Sequence, residues 1–178
     1  MTTQYLIVEG AFEKFLLERI LPENMVAQSK IITGNGYHIA LSKARSLLVS
    51  SELPVALIVD ADTTNTASVE EKKDFLSQSL QQFSNPEHFH IFLAVPEMEQ
   101  IFFSRRDIVE DLLGKTIPDQ QWEIASYHPG QVLRELLHTK DVETSLQSLL
   151  TPSVIEKLRN TEFVQDIIRS SELLTNAA

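Results

Sequence analysis

The sequence of 178 residues contains no cysteine, which excludes disulfide bonds, thiolate metal sites and cysteine nucleophiles. Only five glycines and seven prolines are present, so collagen-like and low-complexity chains are excluded as well. No stretch approaches the roughly 20 consecutive apolar residues that a membrane-spanning helix needs. The first residues, Met-Thr-Thr-Gln, lack the basic start and apolar run of a secretion signal. We therefore expect a cytoplasmic protein.

Basic side chains are also scarce: 15 Lys and Arg stand against 25 Asp and Glu, and the net charge is −10. The acidic excess runs through both halves of the chain, so neither half offers a basic surface that attracts nucleic acid by charge alone. A chain of this charge would meet a phosphate only if a cation first neutralised its carboxylates. Hydrophobic residues make up 43% of the sequence, enough for the core of a compact domain.

The first hundred residues alternate between apolar runs and helical patterns. The predicted strands cover residues 5–8, 26–33, 55–59 and 88–95, and the predicted helices cover residues 11–21, 37–50 and 69–83. On the last of these helices, Lys72 and Lys73 are predicted to face the solvent. This alternation predicts an α/β fold with a mainly parallel four-stranded sheet flanked by helices.

Beyond Phe103 the pattern changes to helices alone. They are predicted over residues 105–113, 130–138, 142–150, 152–159 and 162–174. We therefore divide the chain into a domain over residues 1–104 and a helical C-terminal extension over residues 105–178. The extension is expected to pack on the sheet rather than to fold independently.

Acidic residues stand at the carboxyl ends of the predicted strands, which is where open parallel sheets form their sites. Glu9 ends the first strand, and Glu13 follows one turn into the next helix. Asp60 and Asp62 end the third strand and, if that strand continues, point to the same face of the sheet. These positions predict a group of carboxylates on one rim of the sheet.

The fourth predicted strand is followed by Glu97 and Glu99, of which Glu99 is the better candidate ligand. Each of these acids also has a structural interpretation, as a helix cap or as a first-turn residue that the helix dipole favours. Crowded carboxylates raise one another's pKa unless a cation is bound. Hard oxygen ligands suit Mg²⁺ or Mn²⁺, so the sequence predicts a site for one or two such ions.

The segments Val8-Glu9-Gly10 and Ile58-Val59-Asp60-Ala61-Asp62 resemble the motifs of a Toprim domain. This metal-binding fold is shared by topoisomerases, bacterial primases and nucleases of the overcoming-lysogenization-defect (OLD) family. Residues 95–102, VPEMEQIF, are similar to the Pro-x-x-Glu segment of small stand-alone Toprim-like proteins related to those nucleases. The resemblance covers approximately residues 4–104.

The resemblance implies a catalytic role for Glu9 and Asp60. It further implies that Mg²⁺ or Mn²⁺ is held by five acidic residues, namely Glu9, Glu13, Asp60, Asp62 and Glu99. Thr63 follows Asp62 where topoisomerases often have a third Asp, and within these 178 residues we expect no ATPase, zinc-finger or DNA-gate domain. These departures favour a small nuclease over a topoisomerase or a replicative primase.

The predicted activity is metal-dependent cleavage of phosphodiester bonds, or a related phosphoryl transfer, on DNA or RNA, in phage defence or DNA repair. Candidate contacts to the substrate phosphate are Gly10, at the start of the first helix, and the pair Arg105 and Arg106. A homodimer would enlarge the substrate-binding surface of so short and acidic an enzyme. A separate ATPase subunit is a further candidate partner.

Two other functions remain open from the sequence. The segment Asp60-Ala61-Asp62-Thr63-Thr64 is also similar to the Asp-x-Asp-Gly-Thr start of haloacid-dehalogenase phosphatases, although that motif normally opens the chain. A Toprim-like fold can also serve as a non-catalytic module that binds or regulates a partner protein. Intact carboxylates without affinity for Mg²⁺ would favour this last function.

Overall fold

The computed structural model describes residues 2–176. Its single described sheet contains four strands, β1 (Gln4–Val8), β2 (Ser29–Thr33), β3 (Val55–Asp60) and β4 (Phe89–Ala94). All neighbouring strands are parallel, and their order across the sheet is β2-β1-β3-β4. The predicted α/β fold with a parallel four-stranded sheet flanked by helices is therefore confirmed.

Ten α-helices lie within the described part of the chain. They are α1 (Ala11–Ile20), α2 (Glu23–Gln28), α3 (Tyr37–Ser50), α4 (Thr66–Gln81), α5 (Arg106–Leu113), α6 (Asp119–Ala125), α7 (Pro129–Leu137), α8 (Val142–Leu149), α9 (Pro152–Arg159) and α10 (Glu162–Asn176). Two 3-10 segments, Pro86–His88 and Met98–Phe103, flank β4. None of the helices in residues 2–176 has the length and apolarity needed to cross a bilayer.

The strand predicted over residues 26–33 is wrong in its first part, because residues 23–28 form helix α2. Pro22 and Glu23 supply a helix start with an acid in the first turn, and these signals outweigh the β-branched Val26. The Ser29 hydroxyl donates a hydrogen bond to the Met25 carbonyl oxygen at 2.7 Å, where the helix gives way to β2. The strand is therefore confined to Ser29–Thr33.

Both faces of the sheet are covered, and alternate strand residues enter two different cores. The face under α3 and α4, which we call the α3/α4 face, buries Ile7 and Leu57. The opposite face, which we call the α1 face, buries Ala56 and Ile58 against α1 and helices of the extension. Asp60 continues the alternation of residues 56 and 58, so its side chain is directed to the α1 face.

The helices after residue 104 share a continuous core with the α1 face. Leu133 of α7, Leu158 of α9 and Ile167 of α10 are fully buried in the same cluster as Leu16 of α1. The 3-10 segment Met98–Phe103 contributes to this cluster and packs against α7. The extension thus reaches the carboxyl edge of the sheet, where the acidic residues lie.

Candidate functional site

Glu9 links the ends of two neighbouring strands. It directly follows β1, and its Oε2 atom accepts a hydrogen bond of 3.4 Å from the backbone N–H of Asp60 at the end of β3. Its carbonyl oxygen accepts a second bond, of 2.9 Å, from the Gly36 N–H in the loop before α3. The side chain is therefore held at the carboxyl edge of the sheet, as the sequence predicts.

Glu13 is buried in the first turn of α1, with 8% of the residue exposed. Its Oε2 atom accepts a 2.8 Å hydrogen bond from the Gly10 N–H, so Glu13 caps the helix. A Cβ atom at position 10 would lie 3.0 Å from that oxygen, so a larger residue there would press on the capping carboxylate. Burial raises the pKa of Glu13, and the charges of Glu9 and Glu143 raise it further.

Asp60 has the most strongly raised pKa of the group. Its Oδ1 atom accepts a 2.9 Å hydrogen bond from the Met98 N–H, which ties the end of β3 to the segment after β4. Burial raises the pKa of Asp60 to about 8, with further contributions from the charges of Glu13, Glu99 and Glu9. These four acids, Glu9, Glu13, Asp60 and Glu99, are called the carboxylate cluster below.

Glu99 approaches the cluster from the 3-10 segment and lies against the backbone of α7. A Cβ atom at Gly130 would be 2.9 Å from Glu99 Oε1 and 2.5 Å from Glu97 Oε2, so a larger residue there would displace both carboxylates. Burial raises the pKa of Glu99 to about 7, and the nearby charges of Glu97 and Glu13 add to the rise. The charge of Arg134 opposes it.

Asp62 does not share a face with Asp60, because β3 ends at Asp60 and the alternation stops there. Asp62 adopts a left-handed backbone conformation with φ of 60°, and 68% of its side chain is exposed. Its Oδ2 atom accepts a 2.9 Å hydrogen bond from the Lys72 ammonium group. The same group donates to the Asp60 carbonyl oxygen at 2.7 Å. Lys72 is thus the counter-ion of Asp62 and fixes the turn after β3.

The prediction that Lys72 faces the solvent is wrong, since only 19% of its side chain is exposed. Lys72 is in phase with Leu76 and Leu80, four and eight residues further on, which form the buried stripe of α4. Its ammonium group also lies 4.7 Å from the centre of the Tyr37 ring. The spacing of Lys72 from Leu76 and Leu80 is the sequence signal that could have identified Lys72 as an inward-facing residue. Lys73, in contrast, is exposed, as predicted.

Arg105 and Arg106 are engaged in contacts within the extension. Arg105 binds Asp107 through two hydrogen bonds of 2.9 and 2.6 Å. Arg106 donates to the Ile117 carbonyl oxygen at 3.0 Å and pairs with Asp119. Within residues 2–176 neither guanidinium forms an ion pair with the carboxylate cluster, and their contact with a substrate phosphate stays a prediction.

Two residues of the extension reach the cluster without any sequence signal. Glu143, half-buried in the first turn of α8, raises the pKa of Glu13, and Arg134 of α7 lowers that of Glu99. In the sequence both read as ordinary helix residues, since only the packing of the extension brings them to the edge of the sheet.

The cluster fits a hard divalent cation in the chemistry of its donors, which are all carboxylate oxygens. Burial and mutual repulsion favour either a proton or a cation among them, as the raised pKa values of Asp60 and Glu99 indicate. In residues 2–176, however, no three His, Asp or Glu side chains already stand in a metal-holding arrangement.

In comparisons with known proteins, no family model, no curated protein and no solved structure matches this chain.

Proposed function

We propose that this protein binds Mg²⁺ or Mn²⁺ at the carboxylate cluster and cleaves or transfers phosphodiester bonds of nucleic acid, in the manner of a Toprim-type nuclease. The observation that supports the proposal is the position of Asp60, half-buried among three other acids, where burial and the charges of these acids raise its pKa to about 8. Burying several carboxylates together is unfavourable for the fold, and such strongly raised pKa values are concentrated at functional sites.

Within this proposal, the four acids of the cluster hold the metal. A bound cation would supply a hydroxide from water at neutral pH and stabilise the leaving oxygen. Glu9 bridges β1 and β3 and would orient the attacking water and accept its proton. The Gly10 amide is occupied by Glu13, so the phosphate would meet the amides that follow at the start of α1. A ligand role for Asp62 requires release of its pair with Lys72.

Metal binding and cleavage test the proposal together. Calorimetry with Mg²⁺ and Mn²⁺ would compare the wild type with Asp60→Asn, which keeps the oxygen that accepts the Met98 N–H and removes the charge. Asp74→Asn is the matched control, since it removes an equal charge at an exposed position of α4. The same samples would be incubated with plasmid and with single-stranded DNA and RNA.

We expect metal binding and cleavage in the wild type and in Asp74→Asn, and loss of both in Asp60→Asn. Absence of binding at millimolar metal would contradict the proposal. It would favour the non-catalytic module that binds or regulates a partner protein. We also propose a cytoplasmic location, where a nuclease of this kind meets nucleic acid.

The phosphatase interpretation has less support. It requires Asp62 as a mobile proton donor to the leaving group, whereas the Asp62 carboxylate is paired with Lys72. Incubation of the same samples with a phosphomonoester would detect this activity.

A further inference from the structure

We propose that Arg134 of α7 binds a phosphate group of the nucleic-acid substrate beside the carboxylate cluster. The inference depends on the proposed function, because it assigns a substrate contact of the same site. It introduces a residue of the helical extension into substrate recognition.

The position of Arg134 on α7 is the first step. Gly130 lies four residues before Arg134, about one helical turn, so both residues are on the same side of the helix. That side faces the acids after β4, since a Cβ atom at Gly130 would contact the carboxylates of Glu97 and Glu99. The charge of Arg134 also lowers the pKa of Glu99, in agreement with this placement.

The second step is that the guanidinium of Arg134 is available. The residue is exposed, and in residues 2–176 it forms no ion pair within 4.0 Å. The charged groups of Lys72, Arg105 and Arg106, in contrast, are already paired with carboxylates. Arg134 therefore combines a place beside the cluster with a charge that is free to bind a ligand.

The third step concerns the chemistry of the ligand. The cluster repels anions, and the whole chain carries a net charge of −10. A phosphate that approaches this edge needs a positive group that the acids do not already neutralise. The planar guanidinium of arginine matches two phosphate oxygens at once, whereas lysine offers only a point charge.

Fluorescence anisotropy with a labelled single-stranded oligonucleotide tests the inference, with Ca²⁺ in place of Mg²⁺ to suppress cleavage. We expect Arg134→Ala to bind at least about tenfold more weakly than the wild type, as loss of a charged hydrogen bond implies. Arg134→Lys should recover part of the affinity. The slope of the logarithm of the binding constant against the logarithm of the salt concentration should become shallower by about 0.7, the value for one lost phosphate contact to a single strand.

Arg169→Ala is the matched control, because it removes an exposed arginine from α10, whose partner is Asp166. It should bind like the wild type. Equal binding by Arg134→Ala and the wild type, an equal loss in Arg169→Ala, or no binding by the wild type would each overturn the inference.

The Mg²⁺-induced rise in Tm separates this inference from the proposed function. Arg134→Ala should still show a Mg²⁺-induced rise in Tm, since all four carboxylates of the cluster remain in this variant. If the wild type shows the rise and cleaves nucleic acid while Arg134→Ala is unaffected, only the role of Arg134 fails. If the wild type shows neither, the proposed function itself fails.

Discussion

Asp60 combines burial with the repulsion of neighbouring carboxylates, and the consequence is a dependence of stability on pH. Its pKa is raised to about 8 in the folded protein, so the folded state keeps a proton that the unfolded chain loses above about pH 4. Between these values the unfolded state binds fewer protons than the folded state. Stability therefore falls as pH rises, by up to about 1.4 kcal/mol per pH unit from this group.

The first prediction is that Asp60→Asn removes this fall in stability with rising pH. Asparagine cannot ionise and keeps the oxygen that accepts the Met98 N–H. In the absence of metal, the variant should match the wild type near pH 4 and be more stable near pH 8. Urea unfolding at several pH values measures the difference, with Asp74→Asn as the control. A difference that stays constant across this pH range would contradict the prediction.

The second prediction concerns Gly130→Ala. The new Cβ atom would lie within 2.9 Å of carboxylate oxygens of Glu97 and Glu99, both at the ends of flexible side chains. The fold should persist, because these ends can move and alanine favours the helix by roughly 0.5–1 kcal/mol. The displaced Glu99 carboxylate should weaken Mg²⁺ binding several-fold, which calorimetry measures.

A glycine outside the site provides the comparison for this variant. Gly114 ends α5 with φ of 64°, a conformation that alanine adopts at a cost of about 1 kcal/mol. Gly114→Ala should therefore lower the free energy of unfolding and leave Mg²⁺ affinity unchanged. Identical effects of the two substitutions on metal binding would argue against a special role for position 130.

At the scale of elements, the half-buried ammonium group of Lys72 connects α4 to the end of β3. Lys72 bonds to the Asp60 carbonyl oxygen and to the Asp62 carboxylate. The third prediction is that Lys72→Met, which keeps the apolar stem, lowers the free energy of unfolding by about 1–2 kcal/mol. Lys73→Met at the exposed neighbouring position is the control, and denaturant unfolding is the measurement. Equal stability of the two variants would refute the attachment.

The spacing of apolar residues predicts those helices and strands whose start and end signals lie within the element or directly beside it. The bounds of α3 and α9 follow from their apolar spacing and from Gly36 and Pro152 at their starts. The short helices α2 and α6 are not predicted, because fewer than eight residues give too little periodicity to outweigh a β-branched or polar composition.

The residues of the candidate site also fall into two groups, those whose placement the sequence predicts and those whose placement it does not. Glu9 and Asp60 lie at strand ends and follow from the rule that parallel sheets form sites at their carboxyl edge. The separation of Asp62 from Asp60 depends on one left-handed residue, and the approach of Arg134 depends on how a later helix packs. Neither the backbone turn nor the packing is encoded in a spacing that a sequence pattern reveals.

At the scale of the whole molecule, the fourth prediction is that residues 1–104 do not fold alone. Their α1 face is covered in part by Leu133, Leu158 and Ile167 from the extension, all fully buried. A fragment without those helices would expose this surface to water and lose the associated burial free energy. Circular dichroism and light scattering of the fragment should show an unfolded or aggregating chain. A monomeric fragment with cooperative unfolding would disprove the prediction.

The helices that cover the two faces of the sheet are synthesised at different times. The α3/α4 face can close once β4 has left the ribosome, but the α1 face must wait for the helices after residue 104. At roughly 5–20 residues per second, translation of that remainder takes about 4–15 s. A nascent chain arrested when residues 1–104 have just left the ribosome should therefore recruit a chaperone to its open face, and release it as α7 to α10 emerge. Crosslinking of chains arrested at successive lengths would show whether that handover occurs.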